Sequence, residues 1–231
     1  MPRASEPARA TAAWSVVSDQ ASGRLVGVSV RTRWIVGILA AMALLVVGFM
    51  GGILTPSLRA PGDNSPEAGF ARDMSTHHGQ AVAMAMLEVQ NGVDPGVRQL
   101  AEDIATTQQA QIGMMSVWLQ DWHLLPTGSR PPMAWMPDGS SELVNGLMPG
   151  MATVDQLNEL SAARGKASDV LFCQLMLRHH IGGIHMVEGI LAVTHNSTVR
   201  TLAETMLSGQ QGEVTVLQGE LTRLGAQPLS S

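Results

Sequence analysis

Two histidine pairs carry most of the chemistry open to this chain of 231 residues. His77-His78 and His179-His180 sit inside a longer pattern. Phe70, Met74, His77, His78 and Met84 recur with the same spacing as Phe172, Met176, His179, His180 and Met186, each pair 102 positions apart. The offset continues without a gap, pairing Val97, Arg98, Leu100, Ala101, Glu102, Gln108, Gln109 and Leu119 with Val199, Arg200, Leu202, Ala203, Glu204, Gln210, Gln211 and Leu221. The repeated unit is therefore a pair of segments whose distinctive content is histidine and methionine. Imidazole nitrogen with thioether sulfur suits copper, and Cu(I) the more as sulfur donors accumulate.

At about 100° per residue, Met74, His77, His78, Ala81 and Met84 share one face of a helix, as do Met176, His179, His180, Gly183 and Met186. Both faces can point into a bundle core. Against metal binding stands a structural role for the histidines in buried hydrogen bonding, and adjacent histidines diverge around the helix, so one of each pair can support rather than ligate. Twelve of the fifteen methionines follow residue 63. Of these, Met114, Met115 and Met206 read as packing residues. Met133, Met136, Met148 and Met151, with Trp135, either fill space beneath a connection or form a thioether-rich lid. Cys173 flanks the second histidine face, but its repeat partner is Ala71, and a buried cysteine is usually inert. His185 is expected to face outward, and His123 and His195 to lie at the surface. Arg98 with Glu102, and Arg200 with Glu204, are spaced for helix-surface ion pairs; if buried, the two glutamates could orient the histidines or bind a harder metal. Gly182 and Gly183 each cost about 1 kcal/mol inside a helix, and close helix approach beside the histidines is the expected compensation.

Composition removes other classes. A net charge of -5 and a single lysine, Lys166, leave no basic surface for nucleic acid. One cysteine excludes an intramolecular disulfide framework. A ferritin-like oxidase centre needs Glu-x-x-His from each of two helices, and the chain contains none. No covalent catalysis is expected.

The elements that must position the histidines follow from local signals. Trp34–Leu54 lacks any charge and is long enough, at about 1.5 Å per residue, to cross about 30 Å of hydrocarbon. Arg24, Arg31 and Arg33 precede it and Arg59 follows, which places the N-terminus in the cytoplasm and the remainder outside. A cleaved signal peptide is the rival reading. Residues 1–33 read as a disordered cytoplasmic tail, 34–54 as a transmembrane helix, 55–64 as a linker and 65–227 as an all-α domain. Ser65-Pro66-Glu67 and Asp94-Pro95 are helix starts, with Asn91-Gly92 a stop between them. Thr153 and Gln156 open a shorter helix that Gly165 ends. A long helix over about 167–193 follows, then another capped at Asn196 or Ser197 and closed by Gly225. Five prolines between 126 and 149 mark a crossover, set at 123–166, between repeat 1 (70–122) and repeat 2 (172–224). Two duplicated helical hairpins joined by one long connection predict a ferritin-like four-helix bundle preceded by one transmembrane helix.

The two phrases Phe-x3-Met-x2-His-His-x2-Ala/Gly-x2-Met resemble the signatures of the DUF305 family, which includes CopM-type copper-binding proteins. The lead-in from Gly150-Met151 to Asp169 is similar as well, with the usual Phe-Asp pair replaced by Ser168-Asp169. The resemblance implies a ferritin-like bundle, exported or anchored, binding Cu(I) or Ag(I) in some members. It carries ligand roles onto His77, His78, His179, His180, Met74, Met84, Met176 and Met186. Methionine-rich tails are absent here. The function expected is a membrane-tethered extracytoplasmic metal-binding protein that sequesters or passes on copper, or another transition metal, with an envelope metal-handling protein or a second copy as partner. Release is expected by ligand exchange or by histidine protonation near the unperturbed value of about 6.5. The alternative is a helical adaptor module of the envelope whose histidines are core polar groups.

Overall fold

The computed structural model describes residues 29–229, and the N-terminal tail lies outside them except for its last five positions. Two compact units divide the chain, Met1–Leu54 and Thr55–Ser231. Helix α1 spans Val30–Arg59, beginning in the first unit and ending past its boundary. It begins before Trp34 because the Ser29 hydroxyl accepts from the Thr32 backbone N–H at 3.2 Å, a cap that ties the turn ahead of the apolar run. It also runs on through the first half of the segment read as linker, since one proline removes one hydrogen bond without forbidding helical dihedrals. From Val30 to Met50 every side chain is exposed, and from Trp34 onward that stretch carries no charge.

The second unit is all helical among the described residues: α2 (Pro66–Asn91), α3 (Pro95–Asp121), α4 (Val154–Ala162), α5 (Lys166–Val193) and α6 (Ser197–Leu224). Each long helix starts where its caps dictate. Ser65 accepts from Ala68 N, Asp94 from Gly96 N and Val97 N, and Asn196 from Thr198 N and Val199 N. Thr153 and Gln156 form the reciprocal capping box that opens α4. Gly165 does not close that helix, as expected from sequence, but opens α5; its φ of 60° is a left-handed conformation that glycine adopts without strain. Gly225, at φ 74°, closes α6.

Hairpins α2–α3 and α5–α6 meet chiefly through α2 and α5, which run antiparallel. The Asp169 carboxylate near the start of α5 accepts from Val93 N and Asp94 N just past the end of α2. Thr194 at the end of α5 donates to Glu67 at the start of α2. The four long helices share two apolar clusters, one at each end of the bundle. Met84 and Met176 lie in one, with Val97, Ile104, Leu217 and Leu221. Met74 and Met186 lie in the other, with Phe70, Met115, Val199 and Met206. Each cluster thus receives one methionine of the repeated pattern from each copy. Met114, expected to pack, is instead half exposed: its neighbour Met115 takes the inward position, and the next residue around a helix must turn away.

The crossover is fastened to this scaffold by side chains of α2. Asp73 Oδ2 accepts from Met133 N at 2.7 Å and from the Trp135 indole at 2.8 Å. Gln80 makes a reciprocal pair with Ala152, donating to its carbonyl at 3.0 Å and accepting from its N–H at 2.7 Å. Met133, Trp135 and Met148 are buried beneath the connection.

Candidate metal centre

The four histidines of the repeat form a layer across the middle of the bundle, where α2 and α5 cross. All four are fully or almost fully buried, as are Met74, Met84, Met176 and Met186. The His77 and His179 rings lie 3.8 Å apart at their centroids with a 34° tilt, and the His179 and His180 rings 6.3 Å apart. Small residues make this approach possible. A side chain at Gly183 would collide with the Gln210 amide and come within 3.3 Å of His77 Cε1. At Gly182 the neighbour is not a helix, as the sequence suggested, but the crossover: an added Cβ would run into the Pro149 carbonyl. Gly150, at φ 77°, presses in turn on the backbone of Arg178.

Three of the imidazoles have one nitrogen committed and one bare. His77 Nε2 donates to the Pro149 carbonyl at 3.0 Å, and His180 Nε2 donates to the Glu213 carboxylate at 2.7 Å. His78 Nε2 meets Gln111 Oε1 at 2.7 Å. Carbonyl and carboxylate oxygens only accept, so Nε2 carries the proton and Nδ1 keeps its lone pair. The Nδ1 atoms of His77, His78 and His180 are buried without a partner, and so are both ring nitrogens of His179. Five orphaned nitrogens in one layer depart sharply from the rule that buried polar groups are paired. A ring held by a hydrogen bond at one nitrogen and open at the other is the arrangement found in metal-ligating histidine.

Burial is the largest cause of the low basicity here. It pushes His77 down to about 4 and His78 to about 3, the latter helped by the adjacent His77, and holds His179 well below the usual range. These rings are neutral at ordinary pH, and their protonation falls well below the value of 6.5 assumed from sequence. Among the described residues no three His, Cys, Asp or Glu groups converge as in a formed coordination centre. The donors the layer does hold, neutral imidazole nitrogens and thioethers, are of the types that suit a soft ion.

Other residues weighed from sequence lie elsewhere. Glu102 and Glu204 are exposed and reach no histidine; Arg200 and Glu204 stand 3.8 Å apart at the surface, and Arg98 bonds the Val89 carbonyl. Their places beside the histidines are taken by Gln111 and Glu213, also 102 residues apart but differing in type, so that a search for identical pairs passes over them. Cys173 is buried in the cluster with Met176, and burial, with the carboxylate of Glu88 next in effect, pushes its thiol up to about 12. A thiol that holds its proton so firmly is a poor ligand. His185 faces outward and pairs with Glu142 at 2.8 Å, while His123 and His195 are exposed. A second buried polar group had no sequence signal. Glu88, wholly buried, accepts from Ser168 at 2.7 Å; burial, followed by its contact with Asp169, pushes its carboxyl up to about 8.

Comparison with known proteins agrees with this architecture. A DUF305 protein from Streptomyces coelicolor, described as secreted, matches with a TM-score of 0.68 and 39% identity, over 74% of this chain and 100% of that one. A DUF305 fragment from Deinococcus radiodurans matches at 0.58 and 28% identity, over 68% and 96%. CopM in its Cu(I)-bound form matches at 0.53 and 21% identity, over 69% and 96%, a likeness of fold alone. No curated protein matches the chain by sequence. The family profile described as "Domain of unknown function (DUF305)" covers residues 67–221, and the chain belongs to the DUF305 family.

Proposed function

We propose that the protein captures a soft metal ion, copper as Cu(I) foremost and Ag(I) by the same chemistry, and stores it or passes it on without covalent catalysis. The observation that carries this reading is the set of bare, buried imidazole nitrogens, three of them on rings already oriented by a hydrogen bond at the opposite atom. His77 and His179, in ring contact, are the central donors. His78 and His180 stand beside them, and Met74 with Met186 and Met84 with Met176 supply thioethers from above and below the layer. Thioether sulfur prefers the monovalent ion, and imidazole serves it as well. CopM, which shares the fold, is known in Cu(I)-bound and Cu(II)-bound forms.

The α1 helix acts as a membrane anchor. Its exposed stretch from Val30 to Met50 covers about 31 Å at 1.5 Å per residue, and Arg31 and Arg33 in its first turn, with Arg24 ahead of it, hold the N-terminus in the cytoplasm. The bundle then works outside the membrane, where release proceeds by ligand exchange with an envelope metal-handling partner.

Titration of the metal-free protein with Cu(I), anaerobically and against a chromogenic chelator, tests this. The wild type should strip the chelator, and a His77/His78/His179/His180 alanine variant of intact helicity should not. Equal behaviour of the two would leave the adaptor reading, in which the histidine layer is structural.

A further inference from the structure

The donors of the histidine layer follow the pseudo-twofold repeat, but the methionines around it do not. The cluster holding Met84 and Met176 contains no other methionine. The cluster holding Met74 and Met186 also contains Met115, Met133, Met148 and Met206, with Met136 and Met151 packed against it. This excess comes largely from the crossover, which covers one end of the bundle only.

A cavity of about 270 Å³ opens on the outer side of that crossover and is lined by Met148, Pro149, Gly150, Met151 and Arg178. Pro149 lines this cavity, and its carbonyl accepts from His77 Nε2. One peptide unit therefore separates the cavity from the central imidazole pair. Met151 is partly exposed, while Met148 both lines the cavity and belongs to the buried cluster of Met74 and Met186. By cavity lining and cluster membership the thioethers are ordered from solvent inward as Met151, Met148, then Met74 and Met186.

We propose that this cavity is the uptake site for the metal, with Met151 and Met148 as successive transient ligands for a soft monovalent ion on its way to His77. The proposal rests on the metal-binding reading above and adds the route. Thioether exchange suits the task because sulfur binds Cu(I) or Ag(I) without a proton to displace. Arg178 strengthens the selection. Among the described residues its guanidinium reaches only neutral acceptors, Met151 O and Gln156 Oε1, and no carboxylate. The positive charge left at the cavity costs a divalent ion twice what it costs a monovalent one.

The test is stopped-flow loading of the full-length, metal-free chain in detergent micelles, mixed with Cu(I) held by a chromogenic chelator. Leucine preserves packing volume and removes sulfur, so the variants are Met148→Leu with Met151→Leu, and Met206→Leu as a control in the same cluster away from the cavity. The double variant should load about tenfold more slowly, equivalent to about 1.4 kcal/mol on the barrier, and reach the wild-type end point. Met206→Leu should load at the wild-type rate. An unchanged rate in the double variant overturns the route, and so does a lowered end point at unchanged rate, which would make the two methionines resting ligands. If circular dichroism shows the double variant unfolded, Met151→Leu alone decides by the same comparison. Failure of the wild type to take up any Cu(I) would instead remove the metal-binding reading itself.

Discussion

Replacing Glu88 by glutamine should reshape the pH dependence of folding, because two buried sets of groups pull stability in opposite directions. Native Glu88 keeps its proton up to about 8, whereas the unfolded carboxyl has a value of 4.5. Between about pH 7.5 and about pH 5 the native state therefore carries a proton that the unfolded chain lacks, and stability rises as pH falls. At about 1.4 kcal/mol per pH unit over about 2.5 units, Glu88 adds about 3 kcal/mol across that window. His77 and His78 act with the other sign. Unfolded imidazole takes up protons below 6.5, but the buried rings resist to about 4 and about 3. From 6.5 down to about pH 5 the unfolded chain gains protons that the native state refuses, so each ring removes about 2 kcal/mol, about 4 for the pair. His179 adds to the loss in the same direction.

The wild type should accordingly show a net decline toward acid, with the carboxyl masking part of the histidine effect. In Glu88→Gln the masking is gone, while the amide keeps the neutral, hydrogen-bonding character of the native acid toward Ser168. The variant should lose about 3 kcal/mol more than the wild type on moving from about pH 7.5 to about pH 5. Urea denaturation of the metal-free protein at several pH values, followed by far-ultraviolet circular dichroism, measures this directly. Parallel profiles for the two proteins would mean that Glu88 is ionised in the native state, and the argument from its burial would fail.

Three further outcomes follow from the same geometry. Gly182→Ala should destabilise by about 2 kcal/mol or more, since its Cβ meets the rigid Pro149 carbonyl, whereas Gly79→Ala, on an open helix face, should stabilise by about 0.5–1 kcal/mol; chemical denaturation at neutral pH compares them. Glu213→Gln, which keeps an acceptor for His180 but removes its charge, should weaken Cu(I) affinity by about tenfold or more, read by chelator competition; an unchanged affinity would exclude His180 as a ligand oriented by that carboxylate. Cys173, buried and with its thiol held at about 12, should resist an aromatic disulfide reagent at about pH 8 in the folded protein and react in full only after denaturation.

The helices were legible because their information is local. Ser65, Asp94, Thr153 and Asn196 each announce a helix through the next three residues, and each does so in the structure. Gly165 misled for a related reason: a glycine between two helical patterns can close the first or open the second, and only its dihedral, set by the packing of α5, decides. The faces carrying histidine and methionine were legible from periodicity. What the histidines bind at Nε2 was not. One partner is a backbone carbonyl, Pro149, which has no sequence signature. The others, Gln111 and Glu213, occupy matched positions with different residues, and a comparison based on identity discards them. The buried Glu88–Asp169 contact joins residues 81 positions apart across two helices, beyond any local pattern.

The departures from symmetry are informative in combination. Duplication alone would yield a centre with two equivalent halves and two equivalent ends. Here Ala81 stands opposite Gly183, Gln111 opposite Glu213, and a crossover carbonyl holds His77 while no nitrogen of His179 is bonded. One half is charged at its outer partner, the other neutral; one ring is anchored, its stacked neighbour free. On the metal-binding reading proposed above, His179 can reorient without giving up a hydrogen bond whereas His77 cannot, so the second copy's ring is the less costly one to move. The same asymmetry distinguishes the ends, because a single chain connection can cover only one of them, and that end has gathered the surplus methionines.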